Sequence, residues 1–121
     1  MKICISAQGD NMDSLVDPRF GRCVNFIIFD NDTQEVKVLA NDAAFASTGA
    51  GIAAAQTVVN AGAKVVLTGN LGPNAWKVLS SSGVQVYSVA GISAREACAK
   101  YADQELTIIS APTSPGHHGG R

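Results

Sequence analysis

The sequence predicts an α/β domain with a mixed sheet of about five strands, one of them antiparallel, flanked by helices. Three observations carry this. Apolar runs of strand length, KICISA, VNFIIFD, KVVLTG and VQVYSV, recur along the chain, and from residue 49 onward they alternate with helical patterns. Between residues 24 and 40 two such runs are separated only by the turn NDTQ, which reads as a hairpin and adds an antiparallel strand to an otherwise parallel sheet. At 121 residues and 46% hydrophobic content, the chain suffices for one core and not for two.

Residues 2–7 read as a buried strand because Ile3, Cys4, Ile5 and Ala7 are apolar and no charge follows Lys2 within it. Residues 8–23 then form a long polar connection punctuated by Pro18 and Gly21, and a connection of this length in a small domain is functional or mobile. VNFIIFD (24–30) is the second strand. EVKVLA (35–40) is its half-exposed partner, with Val36 and Val38 alternating with Glu35 and Lys37. From Gly49 the pattern turns helical, with Ile52, Ala55 and Val59 on the expected inner face and Gly62 as the stop. KVVLTG (64–69) follows as a strand. Pro73 suits a first helical turn, Gly83 ends that helix, and Trp76 is expected to cover the sheet. After the strand 84–89, Ser93 and Glu96 form an S-x-x-E capping box opening a third helix, with Ala94, Ala97, Cys98 and Tyr101 on one face. LTIIS (106–110) is a candidate for a short extra strand. Residues 1–110 thus make one domain, and 111–121, rich in Pro, Gly, Ser and His, a flexible tail.

Charge and cysteine content narrow the function. A net charge of −1 with 16% charged residues lacks the clustered cations of a nucleic-acid binder. No run has the length of a signal-peptide core or a membrane span, so a cytoplasmic location and no membrane partner are expected. Cys4, Cys23 and Cys98 include no C-x-x-C pair, which argues against a disulfide framework in a reducing compartment. Cys4 and Cys98 lie on apolar faces and read as core residues. Cys23 follows Arg22, whose charge would favour its thiolate, and packing and ligand roles are equally open for it.

Between Asp42 and Glu96 the chain has no acid, while Lys64, Lys77 and Arg95 occur there. This interval holds the strand-to-helix junctions STGAGI (47–52), GNLGPNAW (69–76) and AGIS (90–93). In an open α/β sheet the ligand crevice lies beyond the carboxyl ends of the strands, where helix N-termini offer unbonded N–H groups. An acid-free, glycine-bearing crevice favours an anion. Arg19 and Arg22 would add full charges if their loop folds over that edge; the alternative is surface ion pairing with Asp13 or Asp17.

GAGIAA matches the dinucleotide fingerprint, but no strand precedes it and no acid near position 70 could hold a ribose. GNLGPNAW lacks the G-K-[ST] of a phosphate-binding P-loop. No histidine before position 117 is present to activate Ser6, Ser47 or Thr48, and no converging carboxylates suggest a metal-dependent nuclease, so an enzyme is not expected. His117 and His118 are the right side chains for a transition metal, with a lid or partner-docking tail as the alternative.

DPRFGRC before an aromatic-bearing strand, GAGIAAAQ, GNLGPNAWKVL, GVQVY and the Gly/His-rich segment ending in GR together resemble the NifX and NifB C-terminal-like family, the dinitrogenase iron-molybdenum cofactor biosynthesis proteins. The resemblance runs over nearly the whole chain, in order. It implies a three-layer fold similar to ribonuclease H, with a five-stranded mixed sheet. It also implies a non-catalytic carrier or scaffold for an anionic metal–sulfur cluster, of the iron-molybdenum cofactor precursor or Fe–S type, or a molybdenum–copper sulfide cluster held non-covalently. Under this reading Arg19, Arg22, Cys23, the turn Thr48, Gly49, Ala50 and Gly51, and the turn Asn70, Gly72, Pro73 and Asn74 hold the cluster, with Cys23, His117 and His118 as candidate metal ligands. A protein that donates or accepts the cluster is the implied partner. The chain lacks cysteines at Fe–S spacing, which argues against a permanent four-thiolate cluster. The competing expectation is a metal-free interaction or regulatory module that docks through DPRFGRC and the tail.

Overall fold

The strand Lys2–Ala7 (β1) is buried along nearly its whole length, and the fold is assembled around it. The computed structural model describes residues 1–46 and 48–113. The strands Asn25–Asp30 (β2) and Val36–Ala40 (β3) follow as an antiparallel hairpin, with β2 also antiparallel to β1. The helix Ala50–Asn60 (α1) then crosses to the strand Ala63–Thr68 (β4), parallel to β1. The helix Pro73–Ser81 (α2) leads to the strand Gln85–Ser88 (β5), parallel to β4. The helix Ala94–Ala102 (α3) and the short strand Thr107–Ile109 (β6) complete a sheet of order β3-β2-β1-β4-β5-β6.

Pleating sends alternate side chains to opposite faces, and each face has its own core. On one, Cys4, Phe26, Ile28, Val66 and Val86 pack against Ala54, Val58, Ala75 and Leu79 of α1 and α2. On the other, Ile3, Ile5, Ile27, Val65 and Leu67 pack against Ala94, Ala97 and Cys98 of α3. The result is the three-layer α/β arrangement expected from the sequence, and no described helix is long and apolar enough to cross a membrane.

Two expectations are corrected. The sheet has six strands rather than five, because LTIIS supplies β6, antiparallel to β5. Ile109 is buried there beside Val86, and the pairing covers an edge of β5 that would otherwise be open. The inner face of α1 is Ala50, Ala54, Ala55 and Val58, whereas Ile52 is exposed. Small side chains are needed on that face: a Cβ on Gly21 would lie 3.2 Å from the Gly51 Cα, and one on Gly51 would lie 3.5 Å from the Ala75 Cβ. Close approach of the loop and α2 therefore selects Ala and Gly where periodicity alone favours Ile.

The capping box is formed as expected. The Ser93 hydroxyl accepts from the Glu96 N–H at 3.1 Å, and the Glu96 carboxylate accepts from the Ser93 N–H at 3.3 Å. Ser93→Ala is expected to cost about 1 kcal/mol in a urea-unfolding measurement.

The connection 8–24 is tied down across the carboxyl edge of the sheet. Gln8 N–H bonds the Leu15 carbonyl, Val16 N–H the Ile92 carbonyl, and Asp17 N–H the Ser6 carbonyl. Its second half then turns toward the N-termini of α1 and α2.

A candidate anion site between two helix N-termini

Beyond the carboxyl ends of the strands lies a cavity of about 380 Å³. Three segments line it: Arg19–Gly21 from the long connection, Gly49–Gly51 at the start of α1, and Asn70 with Gly72–Ala75 at the start of α2. What brings them together is steric. The Asn70 N–H donates to the Pro18 carbonyl at 2.7 Å, and Gly69 lies so close to Pro18 that a Cβ there would sit 2.7 Å from its Cα. Only glycine lets DPRF rest on the β4–α2 turn.

The donors come mainly from the main chain. Gly49, the residue before α1, has φ 73°, a left-handed conformation that suits glycine. Neither α1 nor α2 has a side-chain cap or an acid in its first turn. Their first intrahelical bonds are Ala53 N–H to Gly49 and Trp76 N–H to Gly72, so the amides of residues 50–52 and 74–75 precede the ladder. Pro73, lacking an N–H, gives up nothing there. Each N-terminus contributes roughly half a positive charge at the cavity.

Arg19 adds directional donors with a partly compensated charge. Asp17, 1% exposed, accepts from the Arg19 main-chain N–H at 2.9 Å, from Nε at 3.2 Å and, through its second oxygen, from Nη2 at 3.2 Å. The expected alternative of ion pairing with Asp17 is thus realised, but with the carboxylate in the interior. Three of the five guanidinium N–H groups remain unused by Asp17. Beneath the pair, the Ser6 hydroxyl donates to the Asp17 carbonyl at 2.6 Å. Having spent its proton, it must accept from the Thr68 hydroxyl, 2.7 Å away.

Several expected site residues lie elsewhere. Arg22 does not line the cavity; its Nη1 donates to the Ala44 and Ala46 carbonyls at 2.8 and 2.6 Å, which makes it a strut between the Phe20–Arg22 and Asp42–Phe45 3-10 turns. Thr48 is exposed and outside the lining. Cys23 is fully buried behind Phe20, its thiol donating to the Phe20 carbonyl at 3.3 Å. The junction 90–93 is closed by its capping box and serves α3 on the opposite face of the sheet. His117 and His118 lie outside the described residues.

The protein family and its relatives

Residues 1–104 match the sequence model of the family described as dinitrogenase iron-molybdenum cofactor. The chain belongs to the dinitrogenase iron-molybdenum cofactor family. Among solved structures this family member is similar to the apo form of the orange protein from Desulfovibrio gigas, at 36% identity and TM-score 0.91, covering 93% of this chain and 96% of that one. It is also similar to a NifB-like protein from Thermotoga, at 30% identity and TM-score 0.83, covering 95% and 98% of the two chains. A functionally unassigned protein of Methanocaldococcus jannaschii is 29% identical over 103 residues, 83% of each chain.

In this family member Cys4 and Cys98 are buried as expected, and Cys23 departs from the expectation of a thiolate favoured by Arg22. Burial pushes Cys23 up to about 12 and Cys98 up to about 11, and Cys4 is raised as well. Adjacency to Arg22 in sequence does not lower the Cys23 value, because the guanidinium is turned to the carbonyls of residues 44 and 46. Thiols raised on folding favour the protonated native state. The unfolded chain releases their protons first, from pH about 9, so stability is expected to fall as pH rises from there toward 12. All three thiols should react slowly with a thiol reagent at pH 8 and rapidly in urea.

Residues that sequence reasoning missed are mostly shape-setters. Phe20, Gly21 and Ala75 line the cavity, and Gly69 admits Pro18. Asn41 is buried and donates through Nδ2 to the Gly21 and Cys23 carbonyls at 3.1 and 2.9 Å, which clamps the loop from below. The available signal was composition: Gly69 and Ala75 fall in the glycine-bearing junction 69–76, and Gly21 punctuates the long connection 8–23.

Proposed function

We propose that this protein is a non-catalytic carrier or scaffold that holds a preassembled, sulfide-terminated anionic metal cluster in the cavity between α1 and α2. The observation that carries the reading is the lining itself. It offers main-chain N–H groups, the Asn70 and Asn74 amides and the Arg19 guanidinium, with no thiolate, imidazole or carboxylate among the described residues that form it. Such a surface donates hydrogen bonds to a metal's own sulfide ligands and supplies no ligand of its own. A coordinatively complete cluster suits it better than an Fe–S core that needs four cysteines. The family's description, an iron-molybdenum cofactor, and a relative described in its apo form are consistent with a bound metal cargo. A molybdenum–copper sulfide or an iron–molybdenum–sulfur precursor fits this chemistry, and a protein that supplies or receives it is the matching partner.

Anaerobic reconstitution with tetrathiomolybdate, with and without copper, and separately with iron and sulfide, tests the proposal. Colour that survives desalting at a fixed metal-to-protein ratio supports it; colourless protein in every trial defeats it. Cys23→Ser is expected to retain cargo affinity within about a factor of two by the same assay, because the thiol does not face the cavity and a serine hydroxyl can bond the Phe20 carbonyl in its place.

One observation favours the second reading, a docking module. Phe45 is 94% exposed on the turn that Arg22 braces. Exposed aromatics of this kind serve as binding anchors in protein interfaces. A partner lost by Phe45→Ser, with no metal bound under any condition, would establish that reading.

A further inference from the structure

We infer that Asp17 limits how tightly the cavity holds its anion, and so makes the cargo releasable. The inference rests on the site reading above.

The Asp17 carboxylate is 1% exposed, and among the described residues its hydrogen-bond partners all belong to Arg19: the main-chain N–H, Nε and Nη2. The Arg19 side chain is 66% exposed and lines the cavity from the other side. One guanidinium therefore faces two acceptors, the internal carboxylate and the cargo. A buried carboxylate stripped of its cation is costly. Arg19 therefore stays on Asp17 while the cargo is bound, meeting it with its remaining N–H groups and a charge already half spoken for.

Asp17 has two opposed effects, and their sizes decide the sign. It orients Arg19, and losing that orientation would weaken binding by roughly threefold to tenfold, the cost of ordering one long side chain. It also repels the cargo. A unit charge about 8 Å from another, at the effective dielectric of a protein surface, changes an equilibrium by roughly thirtyfold per cargo charge before salt screening. For a cargo of two or more charges repulsion dominates. The main chain supports the assignment, because the site does not need the Asp17 carboxylate to hold its loop: Asp17 N–H to Ser6, Ser6 hydroxyl to the Asp17 carbonyl, and Asn70 N–H to Pro18 remain when the side chain is neutral.

The test is the affinity and dissociation rate of tetrathiomolybdate for the wild type, Asp17→Asn, Arg19→Gln and the double variant, with the fold of each checked by circular dichroism. Asp17→Asn should bind at least tenfold more tightly, release more slowly, and lose affinity more steeply as salt is raised. The double variant should bind more tightly than Arg19→Gln alone, because the repulsion that Asp17→Asn removes acts with or without Arg19. Unchanged or weaker binding by a folded Asp17→Asn would overturn the inference while leaving the site intact, provided Arg19→Gln still weakens binding. If Arg19→Gln binds like the wild type, the site reading itself fails. Asp17→Ser is the second neutral variant. The salt dependence of the wild type requires no variant: a shallow dependence fits a compensated arginine, and one as steep as an unpaired arginine and two helix termini together would produce contradicts it.

Discussion

Replacing Gly69 by alanine is expected to lower stability by about 1–3 kcal/mol, which is a fall in melting temperature of about 5–15 °C. The added Cβ would meet the Pro18 Cα at 2.7 Å and its Cβ at 2.8 Å. Both are parts of a fixed backbone and ring, so neither can swing aside. Gly69 does not have a positive φ, so the penalty is steric rather than conformational. Relief requires the DPRF segment to lift, breaking the 2.7 Å bond from Asn70 N–H to the Pro18 carbonyl and carrying Arg19 away from the cavity. Cargo affinity should fall together with stability. Gly83→Ala is the comparison: Gly83 has φ 76° and open space around its Cβ position, so that change should cost about 1 kcal/mol and leave binding untouched. A melting temperature for Gly69→Ala within a degree of the wild type would mean that the loop does not rest on the β4–α2 turn.

Arg19→Gln carries the second large effect, on binding and stability together. The variant loses the guanidinium donors at the cavity and leaves Asp17 with the main-chain N–H of residue 19 as its remaining partner. Hydrogen bonds to charged groups contribute about 1.5–3 kcal/mol each, so losing even one weakens cargo affinity by at least tenfold. Stranding a buried carboxylate costs about 3–5 kcal/mol where both partners are buried. Arg19 is largely exposed and water can approach from its side, so the expected loss of stability is smaller than for a fully buried pair. Arg19→Lys should fall between, since an ammonium keeps the charge but cannot bond both Asp17 oxygens side-on while still facing the cargo. Titration calorimetry with tetrathiomolybdate and urea unfolding measure the two effects separately.

The parts of this molecule that were legible in the sequence are those set by local rules. The Ser93–Glu96 capping box, the glycine stops at 62 and 83, and Pro73 at the start of α2 depend on neighbours within four residues, and the structure has them where the pattern puts them. The cavity was also legible, because an acid-free interval and glycine-bearing junctions are one-dimensional signals of helix N-termini left open. Gly49–Gly51, Asn70 and Gly72–Asn74 do converge on one cavity. Arg22, Cys23 and the face of α1 were not legible, because each is decided by contacts distant in sequence. Arg22 is claimed by carbonyls at 44 and 46, Cys23 by the core beneath Phe20, and the α1 face by the closeness of Gly21 and Ala75. The two arginines of DPRFGRC thus have different tasks, although their spacing of three suggests a pair: Arg19 faces the cavity from a buried carboxylate, and Arg22 holds the turn beside it.

The central claim is that the cargo is held by open amides of two helix N-termini and by Arg19, without a protein ligand to metal. Amide-resolved NMR during anaerobic titration with tetrathiomolybdate and copper tests this most directly. The largest shifts are expected at the amides of residues 19–21, 49–52, 70–72, 74 and 75, with Cys4, Cys23 and Cys98 unperturbed. Loss of signal around Cys23 with the α1 and α2 amides unmoved would contradict it.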